Sequence, residues 1–360
     1  MHPLQQLDAH RFETPAILKR LASASRRLAE LKGLANAIPN QSILISTLTI
    51  QEAKDSSEIE NIVTTHDELF QEDLSERSPL SPAAKEVLRY RQALWTGFQS
   101  VRDSGLLTNS HLLSIQAELE QNNAGFRKLP GTVLKDGLGR VVYTPPQDAT
   151  EIDTLMGDLE HFIHESELLD VDPLIKMALI HHRFESIHPF YDGNGRTGRI
   201  LNVLYLVKER LLDIPILYLS RYIVQTKADY YRLLQTVRTD DTWEEWVLYM
   251  LTAVEETAAQ AMIVIGEIQR ALQDYKQRIR DQLPKIYSQD LINNLFTHTY
   301  TKIEFLEQDL GVSRITAAKY LESLTASGFL QKQKIGRTNY FINPLLKSIL
   351  TANSMRSPSA

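Results

Sequence analysis

Along most of the chain apolar residues recur at intervals of three and four, the spacing of helices that bury one face. Leu18, Leu21, Leu28 and Leu31 mark such a face over 15–34, closed by Gly33 and followed by Pro39. An apolar run over 43–50 leads into 51–62, which reads as helix. Ser81-Pro82 opens a helix over 83–102, with proline at a first-turn position, and 108–121 forms another. The pattern then changes. β-rich runs at 132–135 and 140–143 flank Asp136-Gly137-Leu138-Gly139, which predicts a hairpin. Amphipathic helices return at 151–165 and 174–184, and an apolar run at 200–207 makes a third. A long helical stretch runs from 243 toward 283. Within it Ala261, Ile265, Ile268, Leu272, Tyr275 and Ile279 alternate by four and three, a short coiled-coil-like seam for the body or for a second copy in a homodimer. Pro284 ends it. Helices at 291–296, 302–310 and 313–327 and strands at 329–333 and 338–342 about Gly336-Arg337 complete a mainly α chain.

Composition narrows the class. A length of 360 residues is enough for two or three domains. The net charge of −6 argues against a general polyanion binder. With no cysteine, neither a disulfide nor a Cys-ligated zinc can form. The first forty residues mix charged and polar groups with short apolar patches, unlike a signal peptide. No apolar run reaches the roughly twenty residues of a membrane helix. A soluble, cytoplasmic protein without a membrane partner is expected. The 285–350 order of helix, helix–turn–helix and β-hairpin resembles a winged helix-turn-helix. Over 311–347, Arg314, Lys319, Lys332, Lys334, Arg337 and Lys347 face one acid, Glu322, against the sign of the whole chain. That excess suits a DNA-facing helix and wing, although such modules also dock proteins.

The candidate chemistry is concentrated in His188-Pro189-Phe190-Tyr191-Asp192-Gly193-Asn194-Gly195-Arg196-Thr197-Gly198-Arg199. Gly193 and Gly195 lack a Cβ, so their amides can turn inward around an anion. The helix that follows adds free N–H groups and a positive dipole end, which favour phosphate. Arg196 and Arg199, three apart, can project from one face as phosphate clamps. Asp192 beside them suits a Mg²⁺ ligand, and His188 suits a base near neutral pH. Asn194 can orient a phosphate through its amide, and Phe190 anchors the loop. Base, metal carboxylate, anion nest and clamps form a phosphate-transfer site. His181 and His182 lack His-x-x-x-His spacing and point about 100° apart on a helix, so they read as satisfied helix histidines.

The stretch matches every fixed position of His-x-Phe-x-(Asp/Glu)-Gly-Asn-Gly-Arg-x-x-Arg, so the chain resembles the Fic domain family of protein adenylyltransferases. The resemblance implies His188 as catalytic base and a nucleotide site of Gly193, Asn194, Gly195, Arg196, Thr197, Gly198 and Arg199, with Tyr230 over the base of the nucleotide. ATP is the implied co-substrate, with Mg²⁺ on Asp192. Ser56 and Glu60, i and i+4 on one helix face, fit the inhibitory motif (Ser/Thr)-x-x-x-Glu-(Gly/Asn) with Asn61. In family members of that type the glutamate pairs with the second motif arginine, here Arg199. The exposed edge of the hairpin can template a partner's extended backbone. In the family it is the flap that aligns the target, which points to Thr132, Val133 and Leu134. The expected organisation is an N-terminal helical region with the inhibitory motif (1–110), the Fic core with flap (111–255), a connecting helix (256–284) and the winged unit (285–350). The implied activity is AMP transfer from ATP to a Ser, Thr or Tyr hydroxyl of a target protein. Removal of AMP, another nucleotide donor, or a nucleotide-sensing DNA-binding regulator are the alternatives.

Overall fold

Helices start where the sequence supplies a cap. Thr14, Ser81, Thr108, Asp148, Asp172, Ser288 and Ser313 each accept a hydrogen bond from a backbone N–H of the first turn. Pro15, Pro82 and Pro173 stand at first-turn positions, where the missing N–H costs nothing. The computed structural model describes residues 3–70, 81–335 and 338–353. In chain order its elements are α1 (Pro15–Asn36), α2 (Ser42–Ile59), α3 (His66–Phe70), α4 (Pro82–Ser104), α5 (Asn109–Glu120), β1 (Leu134–Lys135), β2 (Val141–Tyr143), α6 (Ala149–His164), α7 (Pro173–Ile187), α8 (Asn194–Lys208), α9 (Ser220–Gln225), α10 (Lys227–Asp240) and α11 (Trp243–Gln282). They continue with α12 (Gln289–Thr297), β3 (Tyr300–Thr301), α13 (Ile303–Leu310), α14 (Arg314–Ala326), β4 (Gln331–Ile335), β5 (Thr338–Ile342) and α15 (Pro344–Asn353). The fold is mainly helical, as its sequence pattern predicts.

Several boundaries differ from the sequence reading for local reasons. Gly33 lies inside α1, with open space where a Cβ would be. The apolar run and the helix after it are one element, α2, because no breaker separates them. That helix ends at Ile59, and Asn61 then takes φ 64, a conformation that asparagine tolerates. Glu60 is thus the residue just past the helix. In the hairpin only Leu134–Lys135 and Val141–Tyr143 pair, with a register irregularity, so Thr132 and Val133 precede the strand. The division expected at 255/256 falls inside the uninterrupted α11. The Gly336-Arg337 turn and the tail after residue 353 lie outside the described residues.

Helices α7 and α8 form the centre, with α7 buried along its whole length. α2 packs on α4, α9 and α8, and even its polar Gln51, Glu52, Asp55, Ser56 and Ser57 are buried. Glu52 anchors it, accepting from Tyr90 Oη (2.9 Å), Ser220 Oγ (2.5 Å) and Ser220 N (3.1 Å). Burial pushes that carboxyl up to about 7, against those donors. α1 lies along α11, joined by Arg20 to Glu255 at 2.7 Å. The coiled-coil-like seam of α11 is buried within the chain, where Tyr275 Oη also donates to the Phe329 carbonyl at 2.8 Å. By length and composition α11 is the one described helix that could cross a membrane, and more than half of its most apolar window is buried in the fold.

The C-terminal unit places α12, α13 and α14 against an antiparallel sheet of order β3-β5-β4, an arrangement compatible with a winged helix. It rests on the back of α2 and α3. Gln51 Nε2 donates to the Leu350 carbonyl (3.1 Å), Ser46 Oγ to the Thr297 carbonyl (3.1 Å), and Lys347 pairs with Asp67 (2.6 Å).

Candidate active site

His188 is the first residue after α7 and takes φ 51 and ψ 58. A left-handed conformation costs an L-residue about 1–2 kcal/mol, so the surroundings must hold it. They do. His188 N donates to the Phe184 carbonyl (2.9 Å), and the buried Arg127 fixes the loop from the flap side. Arg127 Nε donates to the His188 carbonyl (2.7 Å), its Nη2 to the Pro146 carbonyl (2.6 Å), and its backbone N to the Pro189 carbonyl (2.8 Å). Tyr191 Oη accepts from Lys128 N and Leu129 N (2.9 and 3.1 Å), a second tie between flap root and motif loop. Nothing in the spacing of Arg127 or Tyr191 signals these roles. The His188 ring is partly buried. Its Nδ1 has no partner of hydrogen-bond geometry among the described residues, although the Glu185 carbonyl is close enough to raise its basicity. Burial first, then the charges of Arg127 and Arg238, lower its pKa to about 4. The imidazole is therefore neutral, in the form that accepts a proton.

The nest follows at once. Gly193 caps α8 with φ 77, where its lack of a Cβ is required. Asp192 is exposed, its Oδ1 accepts from Gly193 N (2.7 Å), and it forms no ion pair among the described residues. Asn194 does something other than face a phosphate. Its Oδ1 accepts from Phe190 N and its Nδ2 donates to the Phe190 carbonyl, both at 2.8 Å, so its amide is consumed in closing the loop. The buried Phe190 supplies the expected anchor, tilted against Phe126 and Phe184. Gly198 faces the α7–α8 contact, and Thr197 is buried with its hydroxyl unpartnered among the described residues. A Cβ at Gly198 would fall 2.6 Å from Glu185 Oε1 and 3.0 Å from Phe184 Cδ1. Gly198 is there for close helix packing.

The two motif arginines part company. Arg199 turns to α2: its Nε donates to Ser56 Oγ (2.8 Å), and its Nη2 to the Ser56 carbonyl (2.9 Å) and to Glu60 Oε1 (2.8 Å). The guanidinium is 1% exposed and its charge is reinforced by Glu60. Burial raises the Glu60 carboxyl, yet Arg199 overrides that and holds it below its ordinary value. Glu60 Oε1 also lies against Gly195, where any Cβ would collide with it. Arg196 turns instead to α4 and α5. Its Nη2 donates to Glu120 Oε1 (2.7 Å) and its Nη1 to Glu86 Oε2 (3.1 Å), two carboxylates that the motif does not announce. Side chains that share a helical face at Cβ thus reach opposite neighbours at their tips.

Tyr230 is placed in the core, 1% exposed, and not over the nest. Its hydroxyl bonds His181 Nε2 at 2.8 Å and its ring packs against Trp246 and Tyr249. Its neighbour Tyr231 is 47% exposed and close enough to Glu60 and Arg199 to feel their charges. The two rings touch edge to face, centroids 5.2 Å apart, and only tertiary packing shows which faces the site. His181 also bonds the Gly198 carbonyl (3.2 Å) and His182 the Leu234 carbonyl (3.1 Å), so both are satisfied helix histidines. Tyr230→Phe is expected to lower stability by about 1 kcal/mol through the lost hydrogen bond while leaving nucleotide affinity unchanged. Thermal melts and calorimetric titration check this, and a marked loss of affinity would return Tyr230 to the site.

The flap leaves Val141 and Val142 exposed, with Val133 at their edge. Asp136 closes its turn, accepting from Leu138 N and Arg140 N at 2.9 Å each. Much of the C-terminal basic excess is neutralised locally. Arg314 pairs with Glu304 (2.9 Å), Lys332 with Glu322 and Lys347 with Asp67, while Lys319 and Lys334 are exposed. Arg337 lies outside the described residues.

With this geometry in view, two family models, Fic/DOC family N-terminal and Fic/DOC family, match residues 18–99 and 106–206, together just over half of the chain. The chain belongs to the Fic/DOC family. The C-terminal unit of this Fic protein matches the model of the protein adenylyltransferase SoFic-like C-terminal domain over 271–346. Protein adenylyltransferase Fic-1 of Caenorhabditis elegans is 30% identical over 104 residues, 29% of this chain and 19% of that one. A probable protein adenylyltransferase of Aquifex aeolicus is 35% identical over 82 residues, 22% of this chain and 24% of the relative. The Fic protein thus spans a quarter or less of the length of these curated relatives. Among solved structures, a Fic family protein from Desulfovibrio desulfuricans superposes with TM-score 0.57 at 22% identity, covering 91% of this chain and 96% of that chain. Fic-1 of C. elegans superposes with TM-score 0.55 at 19% identity, covering 71% and 75%. These likenesses establish the Fic fold.

Proposed function

We propose that this Fic protein transfers AMP from ATP to a Ser, Thr or Tyr hydroxyl of a target protein, and that Glu60 restrains it. The observation that carries this reading is the Glu60–Arg199 pair laid on Gly195 of the nest, one loop away from the neutral His188. The relatives' name, protein adenylyltransferase, supports it. In the forward reaction His188 takes the proton of the target hydroxyl. The hydroxyl oxygen attacks the α-phosphorus, a new P–O bond forms, the α–β anhydride breaks and pyrophosphate departs. Arg199, once released by Glu60, neutralises the charge of the leaving phosphates. Arg196 is tied to Glu86 and Glu120, so in this arrangement that task falls to Arg199 alone.

Mg²⁺ fits the site. Asp192 is an exposed hard-oxygen donor at the mouth of the nest, and Mg²⁺ is commonly held by one or two carboxylates with substrate phosphates and water. When bound there it would neutralise phosphate charge. The flap edge at Thr132, Val133 and Leu134 supports main-chain alignment of the target. The reading is tested by incubating a Glu60→Gly variant with labelled ATP and cell lysate and identifying the labelled proteins by mass spectrometry. AMP on Ser, Thr or Tyr is expected. Loss of AMP from a modified target without ATP would favour the reverse reaction, and label from another donor alone would favour different donor chemistry.

For the C-terminal unit we infer weak DNA contact at most, because over 311–347 the exposed basic residues without an ion pair among the described residues are Lys319 and Lys334, beside paired ones. Titrating the full chain with duplex DNA at rising salt should give a shallow slope, since each phosphate contact contributes about 0.9 to it. A steep slope would show that the paired cations are released onto DNA.

A further inference from the structure

Glu60 is not the only carboxylate lying on the nest. Glu120, the last residue of α5, places its carboxylate over Gly193, where a Cβ would fall 2.6 Å from Oε1 and 3.3 Å from Cδ. The same oxygen accepts from Arg196 Nη2 at 2.7 Å, and Glu86 takes Nη1 at 3.1 Å. The guanidinium is 5% exposed, and its Nε is buried with no partner among the described residues. Both glycines of the nest are therefore covered, each by a carboxylate that also holds one motif arginine: Glu60 with Arg199 over Gly195, Glu120 with Arg196 over Gly193.

We propose that Glu120 is a second guard of the nucleotide site, holding Arg196 back and occupying by its charge the ground a phosphate chain must enter. The inference rests on the nucleotide-binding role proposed above for the nest. A helix N-terminus favours an anion, and in the free protein both glutamate carboxylates lie beside it, while Gly193 N donates to Asp192 Oδ1 (2.7 Å). Incoming phosphate must displace or repel both. Asp192 adds a like charge beside Glu120, so the carboxylate is held there by Arg196 against repulsion from its own surroundings. A plain strut for Arg196 would need only an acceptor, and Glu86 already provides one. A guard needs the negative charge. Relief of Arg199 alone then opens only half of the nest.

The difference between charge and acceptor makes the test. In the full-length Glu60→Gly protein, Glu120→Gln keeps an oxygen for Arg196 Nη2 but removes the charge, whereas Glu120→Asp keeps the charge on a shorter stem. Calorimetric titration with a non-hydrolysable ATP analogue and Mg²⁺ should show affinity about tenfold tighter for the Gln variant, in line with relief of a like-charge contact. The Asp variant should remain as weak as its parent. Unchanged or weaker binding with Gln overturns the guard and leaves Glu120 as a strut. Because the titration reads binding and not transfer, absence of AMP transfer does not decide it. If the analogue binds neither the parent nor the variants, the nucleotide reading of the nest fails, and the guard with it.

Discussion

His188→Ala is expected to lower AMP transfer by about 10²–10⁴-fold, the range for loss of a general base, with ATP affinity nearly intact. The imidazole sits at the end of α7 and holds neither Arg199, which is bonded to Ser56 and Glu60, nor Asn194, so its removal leaves the nucleotide-facing groups in place. The pH dependence of transfer gives a second reading of the same group. Burial, Arg127 and Arg238 lower the His188 pKa to about 4, and the base is the deprotonated form. Transfer should therefore persist as pH falls below the ordinary histidine value of about 6.5, and fail only as pH approaches 4. The same shift sets a stability window: an unfolded chain binds this proton first, so the contribution of His188 is present above about 6.5 and is lost as pH falls toward 4. Transfer by His188→Ala within a factor of about two of the parent would mean that another group is the base.

Glu60→Gly should raise auto-modification and target labelling, and Arg199→Ala in that background should remove the gain. Glu60 is just beyond α2, so glycine there shortens no helix, while Arg199 keeps its two bonds to Ser56. Some stability is expected to be lost as well, because the buried Arg199 loses its ion-pair partner and keeps only Ser56. The effect on the nest is larger. The carboxylate on Gly195 is gone, and the Arg199 charge that it neutralised becomes available to phosphate. Had Glu60 only solvated its helix end, melting temperature would fall slightly and labelling would not change. Melting temperature and labelling rate for the single and double variants separate the two.

How much of this was legible in the sequence depends on how local its cause is. The loop from His188 to Arg199 is set by residues within one turn of each other, so its glycines, its entry into a helix and its helical arginines could be read directly. The Ser56–Glu60 contact with Arg199 spans the fold, but the helical repeat places both residues on one face and the family resemblance supplies the partner. Other assignments failed where the decision is tertiary. Asn194 looked like a phosphate ligand because an amide suits one, yet the nearest backbone groups were those of Phe190. Tyr230 and Tyr231 are adjacent and alike, and only the packing of Trp246 against α10 selects which is buried. Arg127, Glu86 and Glu120 carry no pattern at all. They come from separate elements and acquire roles only when α4, α5 and the flap root meet the motif loop.

The most direct test of AMP transfer restrained by Glu60 is to supply Glu60→Gly with ATP labelled either at the α-phosphate or at the γ-phosphate. The account predicts that protein acquires label only from the α-labelled nucleotide, with pyrophosphate released, and that the parent chain labels far more slowly. Label retained from the γ-phosphate, or equal labelling by parent and variant, would contradict it.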